Sequence, residues 1–157
     1  MWNNGGSVQL YHSNITGNTA LYGDGGGVGN KEGSTVVQDS IIADNRAGYS
    51  GGGIYQEKGT LTITRSVIKD NRQTTGGDAW NGAQQGGGGV YIDYNAVVTI
   101  RESALDQNHA GTNNGHQIIA YKQNFNGGAP AVTVVNTRFI PCTTCETTGT
   151  NFYVYDW

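Results

Sequence analysis

Two carboxylates in this chain are candidates for chemistry. Asp44 and Asp70 each stand directly before an asparagine in equivalent stretches of the sequence. If those stretches stack on one another, the carboxylates lie side by side and repel each other unless a cation or a lysine lies between them. A weak calcium site and a simple exposed pair are both open interpretations, and we assign no metal and no other cofactor.

A second set of charged residues alternates in sign. Asp39, Arg65 and Glu102 occupy one equivalent position in three successive stretches. Neighbouring strands would bring these opposite charges together as an exposed ladder of ion pairs. Such a ladder stabilises a sheet weakly and needs no catalysis to explain it. We therefore predict no catalytic residue in this set.

The two cysteines, Cys142 and Cys145, form a single CxxC pair. A zinc site would need two more ligands, and none of the three histidines has the spacing of a zinc finger. A redox-active pair would open a helix, whereas the flanking threonines and glycine do not favour one. A disulfide that closes a small loop is the preferred interpretation, and two free thiols are the alternative.

The composition excludes several classes of partner. The formal net charge is −3 and the nine lysines and arginines are scattered singly, so no basic stripe is predicted for nucleic acid. No run approaches the about 18 apolar residues of a membrane-spanning helix. The first residues also lack the charged and apolar regions of a signal peptide, so the targeting segment of a secreted parent protein is expected outside this sequence.

The elements that must position these residues belong to a unit that recurs five times. Within each copy an apolar residue is followed by a small hydroxyl, a second apolar residue and an asparagine, at steps of three, two and three, except that the last copy has Cys142 in place of the asparagine. The apolar positions are Leu10, Val37, Ile63, Ile100 and Val134, and then Ile15, Ile42, Ile68, Leu105 and Phe139. Steps of two indicate strands, and steps of three indicate corners between strands.

The hydroxyl and asparagine positions form two further columns. The hydroxyls are Ser13, Ser40, Ser66, Ser103 and Thr137, and the asparagines are Asn18, Asn45, Asn71 and Asn108. A buried amide without a partner is costly, whereas stacked amides can bond to the copies above and below. We predict that both columns stabilise corners and that the asparagines form a ladder.

This pattern predicts an all-β fold. Coils that share one interior and pair strand by strand make a right-handed parallel β-helix of about five to six coils, with three short strands per coil and no helical cap. Residues 1–157 form a single β-helix domain or a fragment of one, with loop insertions at 74–85 and 112–129. Because function on such folds usually sits in loops, we expect the insertions to contact partners.

Gly51-Gly52-Gly53-Ile54, with Ile42-Ala43-Asp44-Asn45 and Ile68-Lys69-Asp70-Asn71, resembles the repeats of the polymorphic outer-membrane protein and related surface β-helix families. The resemblance covers nearly the whole chain and departs at Cys142, which replaces the last asparagine. It implies an extracellular or cell-surface location and a structural or adhesive role without catalysis. It names no ligand, because such repeats serve adhesins, autotransporter-like passengers and many other secreted proteins.

Two other functions stay open. Pectate lyases and polygalacturonases share this architecture, so a polysaccharide-acting enzyme is one alternative, although the Asn-Thr-Asp, Asp-Asp and Gly-His-Gly strings of polygalacturonases are absent from the sequence. A glycan-binding module is another. Tyr55 and Tyr91 follow equivalent inward residues, and Tyr22 and Tyr49 each lie four residues after a ladder asparagine. Stacked tyrosines can bind sugar rings or simply cover a sheet.

The two ends of the chain carry aromatic residues and no recognisable cap. They are Trp2 at one end and Phe152, Tyr153, Tyr155 and Trp157 at the other. An uncapped coil exposes strand edges and apolar interior. Either the chain is part of a longer β-helix, or copies stack end to end as a homopolymer and build filaments. Asn14 begins an acceptor sequence for N-glycosylation.

Overall fold

The computed structural model describes residues 1–74, 86–111, 115–121, 129–140 and 152–155. All secondary-structure elements in this part of the chain are β-strands. The first coil contains β1 (Trp2–Asn3), β2 (Ser7–Tyr11), β3 (Asn14–Thr16) and β4 (Thr19–Ala20). The second contains β5 (Val28–Asn30), β6 (Ser34–Gln38), β7 (Ile41–Ala43) and β8 (Arg46–Ala47).

The same order continues in the later coils. The third coil contains β9 (Ile54–Gln56), β10 (Gly59–Thr64), β11 (Val67–Lys69) and β12 (Arg72–Gln73). The fourth contains β13 (Val90–Ile92), β14 (Ala96–Arg101), β15 (Ala104–Asp106) and β16 (His109–Ala110). The fifth contains β17 (Ile118–Tyr121), β18 (Ala131–Val135) and β19 (Arg138–Ile140), and β20 (Phe152–Tyr155) opens a sixth.

Equivalent strands of successive coils pair in parallel and form four sheets. Sheet 1 has the order β1-β5-β9-β13-β17-β20, and sheet 2 the order β2-β6-β10-β14-β18. Sheet 3 has the order β3-β7-β11-β15-β19, and sheet 4 the order β4-β8-β12-β16. The predicted parallel β-helix is therefore confirmed. Each complete coil adds a fourth strand of two residues, directly after the asparagine, to the three that were expected.

The strand register reproduces the apolar columns of the sequence. Leu10, Val37, Ile63, Ile100 and Val134 are successive partners in sheet 2. In sheet 3 the partners are Ile15, Ile42, Ile68, Leu105 and Phe139. The middle members of both columns are fully buried, whereas Leu10, Ile15 and Phe139 are only partly buried. Burial of each such side chain contributes about 1.5–3 kcal/mol, so the middle coils hold most of the core.

The residue before each corner hydroxyl or asparagine adopts a left-handed conformation. Before the hydroxyls, His12, Asp39, Arg65, Glu102 and Asn136 have φ between 44° and 49°. Before the asparagines, Asp44, Asp70 and Gln107 have φ between 49° and 55°. This conformation costs a non-glycine residue about 1 kcal/mol or more, and it turns the chain so that the next side chain points inward. The charged columns seen in the sequence are these corner residues.

The glycine runs form another corner of each coil. Gly51 has a φ of 65°, and the equivalent glycines of three other coils have values between 60° and 66°. The next residue, Gly52, meets the neighbouring coil so closely that an added Cβ would lie 2.4 Å from the carbonyl oxygen of Gly88. Glycine is required here for both conformation and space.

The predicted insertions lie largely outside the described residues. Only Thr74 of segment 74–85 is described. Within 112–129, residues 118–121 form β17 and pair with β13, because Ile118-Ile119-Ala120 repeats the pattern of Val90-Tyr91-Ile92. In the described ranges no helix is long and apolar enough to cross a membrane.

Candidate functional site

The predicted asparagine ladder is present and runs through four coils. The side-chain amide of Asn45 donates to Oδ1 of Asn71 at 3.0 Å, and that of Asn71 donates to Oδ1 of Asn108 at 2.9 Å. The backbone amide of each asparagine donates to the same acceptor at 3.0 Å. In Asn45, Asn71 and Asn108, Nδ2 also donates to a carbonyl of the preceding coil, as from Asn71 to Ile42 at 2.9 Å. One asparagine therefore connects three coils.

The ladder ends on a residue that the sequence pattern did not indicate. Asn108 donates its side-chain amide to Oε1 of Gln117, which is fully buried. Gln117 stands directly before Ile118, where the earlier coils have Gly27, Gly53 and Gly89. Its longer side chain supplies the acceptor that an asparagine supplies in the other coils. The departure from glycine at this position was the available signal.

The corner hydroxyls form a second ladder. The backbone amide of Ser40 donates to Oγ of Ser66 at 3.1 Å, and that of Ser66 donates to Oγ of Ser103 at 3.2 Å. Each serine hydroxyl also donates to the carbonyl two residues before it, as from Ser40 to Gln38 at 2.7 Å. All three serines are buried. These hydrogen bonds stabilise the corner at which the preceding left-handed residue turns the chain.

A third ladder, the second made of side-chain amides, lies on the inner face of sheet 1. We did not predict it from the sequence. Asn3 donates to Oδ1 of Asn30 at 2.8 Å, and Asn30 donates to Oε1 of Gln56 at 3.0 Å. Asn30 and Gln56 each lie two residues after an inward apolar residue, Val28 and Ile54, so strand alternation places them inside as well. The next partners in register, Ile92 and Ala120, are apolar.

Aromatic rings stack on the outer face of sheet 1. The rings of Tyr55 and Tyr91 are stacked with their centroids 5.5 Å apart, and Trp2 stacks on Tyr55 at 6.1 Å. Gly29 lies between Trp2 and Tyr55 in register, and its missing side chain leaves the space that the indole fills. Only 8% of Tyr55 and 4% of Tyr91 is exposed. Little ring surface is left for a sugar, and glycan binding by this pair stays a prediction.

The Tyr55 hydroxyl lies near one carboxylate and is influenced by the charges of two more. The Asp93 carboxylate lies 3.5 Å from this hydroxyl, and the charges of Asp24 and Glu57 also act on it. Burial raises the pKa of Tyr55, and the three negative charges raise it further. Glu57 and Asp93 share one position of the repeat, directly after β9 and β13, whereas Asp24 precedes a glycine corner. Comparison of equivalent columns alone could not have grouped them.

The pKa values of two of these acids are displaced. Burial raises the pKa of Asp93 to about 6, and the charges of Glu57 and Asp24 raise it too, against a hydrogen bond from the Tyr94 backbone amide. Burial also raises the pKa of Asp24, and the neighbouring Ser50 acts in the opposite direction by stabilising the charged carboxylate. A carboxyl group that titrates near neutral pH is suited to exchange a proton with a ligand. We name Asp24, Glu57, Asp93 and Tyr55 the acidic cluster.

The predicted charge column is partly an ion pair. Arg65 donates from Nε and from a terminal nitrogen to the two oxygens of Asp39, both at 2.8 Å. These hydrogen bonds lower the pKa of Asp39 to about 2. Glu102 lies in the next coil, and its charge contributes to raising the pKa of Arg65. The arrangement neutralises charge at an exposed corner.

Asp44 and Asp70, the first predicted candidates, are not members of the acidic cluster. Asp44 and Asp70 are exposed at successive corners, and Asp70 pairs with Lys69 at 3.5 Å. Among the described residues, no three acidic, histidine or cysteine side chains converge as a metal site. Cys142, Cys145 and Trp157 lie outside the described residues. Only the backbone of Phe152, Tyr153 and Tyr155 is described, as strand β20 of sheet 1.

Comparisons of the chain with family models, with curated proteins and with solved structures found no match.

Proposed function

We propose that this chain is a structural or adhesive part of an extracellular or cell-surface rod. The supporting observation is that the interior polar groups bond from coil to coil, through two amide ladders and one hydroxyl ladder. A coil of this kind depends on its neighbours for stability, so the molecule is suited to extend along one axis. An extended rod can present a surface at a distance or bridge two objects.

The first coil is the surface through which we expect the rod to grow. Strands β1 to β4 are each the outermost strand of a sheet. Leu10 and Ile15, which point into the interior, are only partly buried there. In the described part of the chain, Oδ1 of Asn18 accepts no hydrogen bond, whereas Oδ1 of Asn45 accepts two. A coil of a second copy would cover this edge, and the remainder of a longer β-helix would occupy the same place.

Sedimentation velocity over a range of protein concentrations tests this association. We expect the wild-type protein to form elongated oligomers whose mass rises with concentration. Leu10→Lys places a charge in the apolar end of the first coil and should leave monomers. Tyr11→Lys, on the exposed outer side of the same strand, is the matched control and should still associate. A wild-type protein that stays monomeric at every concentration, or equal behaviour of the two variants, would refute the proposal.

A polysaccharide-acting enzyme is the second candidate, and the acidic cluster favours it. The Asp93 carboxyl, whose pKa of about 6 is raised by burial and by the charges of Glu57 and Asp24, could serve as a general acid. Release of reducing or unsaturated ends from polygalacturonate, with and without calcium, measures such activity. Enzymatic action requires turnover that Asp93→Asn abolishes and that Asp44→Asn, at an exposed corner, leaves unchanged. Absence of turnover in the wild-type protein excludes this candidate for that substrate.

A further inference from the structure

Basic side chains occupy neighbouring rungs on the outer face of sheet 4. Arg46, Arg72 and His109 are successive partners in the parallel register of β8, β12 and β16. Both arginines are exposed, and neighbouring rungs are about 4.8 Å apart. These residues are scattered in the sequence, because 26 and 37 residues separate the members of this column along the chain. We call Arg46, Arg72 and His109 the basic column.

Among the described residues, neither arginine has an acidic partner like the one that Asp39 provides for Arg65. The ion pairs of the described residues are Lys58 with Glu57, Arg65 with Asp39, and Lys69 with Asp70. Neither Arg46 nor Arg72 takes part in them. Like charges in adjacent rungs of a sheet destabilise it, so an anion bound across the two guanidinium groups would remove a repulsion that the free protein carries.

Exposed aromatic residues lie at the corner next to the basic column. Tyr22 and Tyr49 each follow the first residue of a sheet 4 strand by three positions, so they occupy equivalent places in two successive coils. Both residues are exposed, with a relative solvent accessibility of 82% for Tyr22 and 39% for Tyr49. Leu21 beside them is also exposed. Unlike the rings of Tyr55 and Tyr91, these rings have free faces on which the apolar face of a sugar can stack.

We propose that the basic column, with Tyr22 and Tyr49, binds an anionic polysaccharide that runs along the rod axis. Carboxylate or sulfate groups contact Arg46 and Arg72 from one rung to the next, and sugar rings pack on the tyrosines. Guanidinium groups suit this ligand because they bind planar oxyanions with two hydrogen bonds. The inference rests on the adhesive role proposed above and names its ligand class, but it requires only one molecule and no end-to-end association.

Binding of a uronic-acid oligosaccharide tests the inference. We expect oligogalacturonate to bind the wild-type protein at low salt, as measured by calorimetry, and its neutral methyl ester not to bind. Arg46→Gln with Arg72→Gln should weaken binding about tenfold or more. Arg101→Gln with Arg138→Gln removes the same charge from exposed positions on sheets 2 and 3 and should change affinity less than about twofold. Tyr49→Ala should weaken binding of the oligosaccharide too.

The remaining comparisons separate the sources of anionic groups and the competing explanations. Tighter binding of a sulfated dextran of equal length than of oligogalacturonate assigns the ligand to sulfated glycans and supports the inference. Three results would overturn the inference. They are equal weakening of oligogalacturonate binding by the two double variants, binding of the neutral methyl ester, and an affinity for oligodeoxythymidylate of the same charge that equals the affinity for oligogalacturonate. Leu10→Lys should keep full affinity, so failure of association and failure of glycan binding are distinguishable.

Discussion

Asn71 is the residue through which the coils are joined most closely. It is fully buried, and Oδ1 accepts hydrogen bonds from the backbone and the side chain of Asn45. Its side-chain amide donates to Asn108 and to the carbonyl of Ile42, while its backbone amide also donates to Asn108. Every one of these bonds crosses from one coil to another, so the residue has no local role that could be separated from stacking.

Replacement of Asn71 by leucine should therefore be costly. The leucine has a similar size, but it leaves the amide groups of Asn45 and the carbonyl of Ile42 unpaired in the interior. We expect the free energy of unfolding to fall by about 3 kcal/mol, because each unpaired buried group costs about 1–3 kcal/mol. Urea denaturation measures this change. Asn18→Leu, at the exposed end of the ladder, should cost clearly less, and a loss below about 0.5 kcal/mol at Asn71 would contradict the ladder.

Asp93 should make stability depend on pH. Its folded-state pKa of about 6 lies above the value of about 3.9 in an unfolded chain, so the native state holds the proton more tightly. The stabilisation from this proton is complete below about pH 4 and is lost as the pH rises through 6. Asp93→Asn should therefore raise the free energy of unfolding by about 2 kcal/mol at pH 7.5 and change it little at pH 4.

Thermal or urea unfolding of Asp93→Asn and of the wild-type protein at the two pH values checks this expectation. Asp44→Asn serves as the control, because it removes a carboxylate from an exposed corner. Equal effects of Asp93→Asn at both pH values would mean that the carboxyl is not shielded from water as the structure places it. A cluster that destabilises the fold at neutral pH is the kind of feature that function, and not stability, maintains.

At the scale of the strands and corners, the glycine corner shows how closely the coils approach. An added Cβ on Gly52 would lie 2.4 Å from the carbonyl oxygen of Gly88 and 2.5 Å from the carbonyl carbon of Arg72. Both atoms belong to backbone, so they cannot move aside as a flexible side chain would. At this corner, backbone segments therefore contact each other directly, with no side chain between them.

Gly52→Ala should therefore lower the free energy of unfolding by about 3 kcal/mol through overpacking. Gly23→Ala is the control, since its added Cβ would meet only the Cβ of Ala20, at 3.9 Å, and its φ is not positive. Guanidinium denaturation of both variants compares the two costs. A similar stability of the two variants would show that the coils can separate at the glycine corner.

The strand columns could be predicted from the sequence because stacking imposes one spacing on every copy. Leu61, Ile63, Ser66, Ile68 and Asn71 repeat that spacing, and all of them are buried. The fourth strand could not be predicted, because a strand of two residues is too short to show the alternation of inward and outward side chains. Gln117 escaped notice because it acts from the glycine corner, in place of the asparagine of its coil. A residue that substitutes for another from a different position leaves no column.

The candidate sites were harder to predict for the same reason. The acidic cluster joins residues from three positions of the repeat, and only the folded coils bring Asp24 and Asp93 to one tyrosine. The basic column does follow the repeat, but its members are far apart along the chain. Predicted pairs such as Tyr55 and Tyr91 stack as neighbours, yet their burial depends on packing that a spacing pattern does not record.

The whole molecule is a rod whose interior side chains connect its coils and whose outer faces carry separate features. The aromatic stack and the acidic cluster lie on the outer side of sheet 1, and the basic column lies on sheet 4. Contacts in such a fold reach mainly the next coil, so changes on one face should leave the other faces intact. The rod form itself is the property on which the proposed role depends.

Electron microscopy of the purified wild-type protein at high concentration shows directly whether the molecules join end to end. One molecule with six rungs is about 30 Å long. We expect unbranched rods of uniform width and of several such lengths, which Leu10→Lys abolishes and Tyr11→Lys preserves. Uniform particles about 30 Å long at every concentration would contradict this expectation.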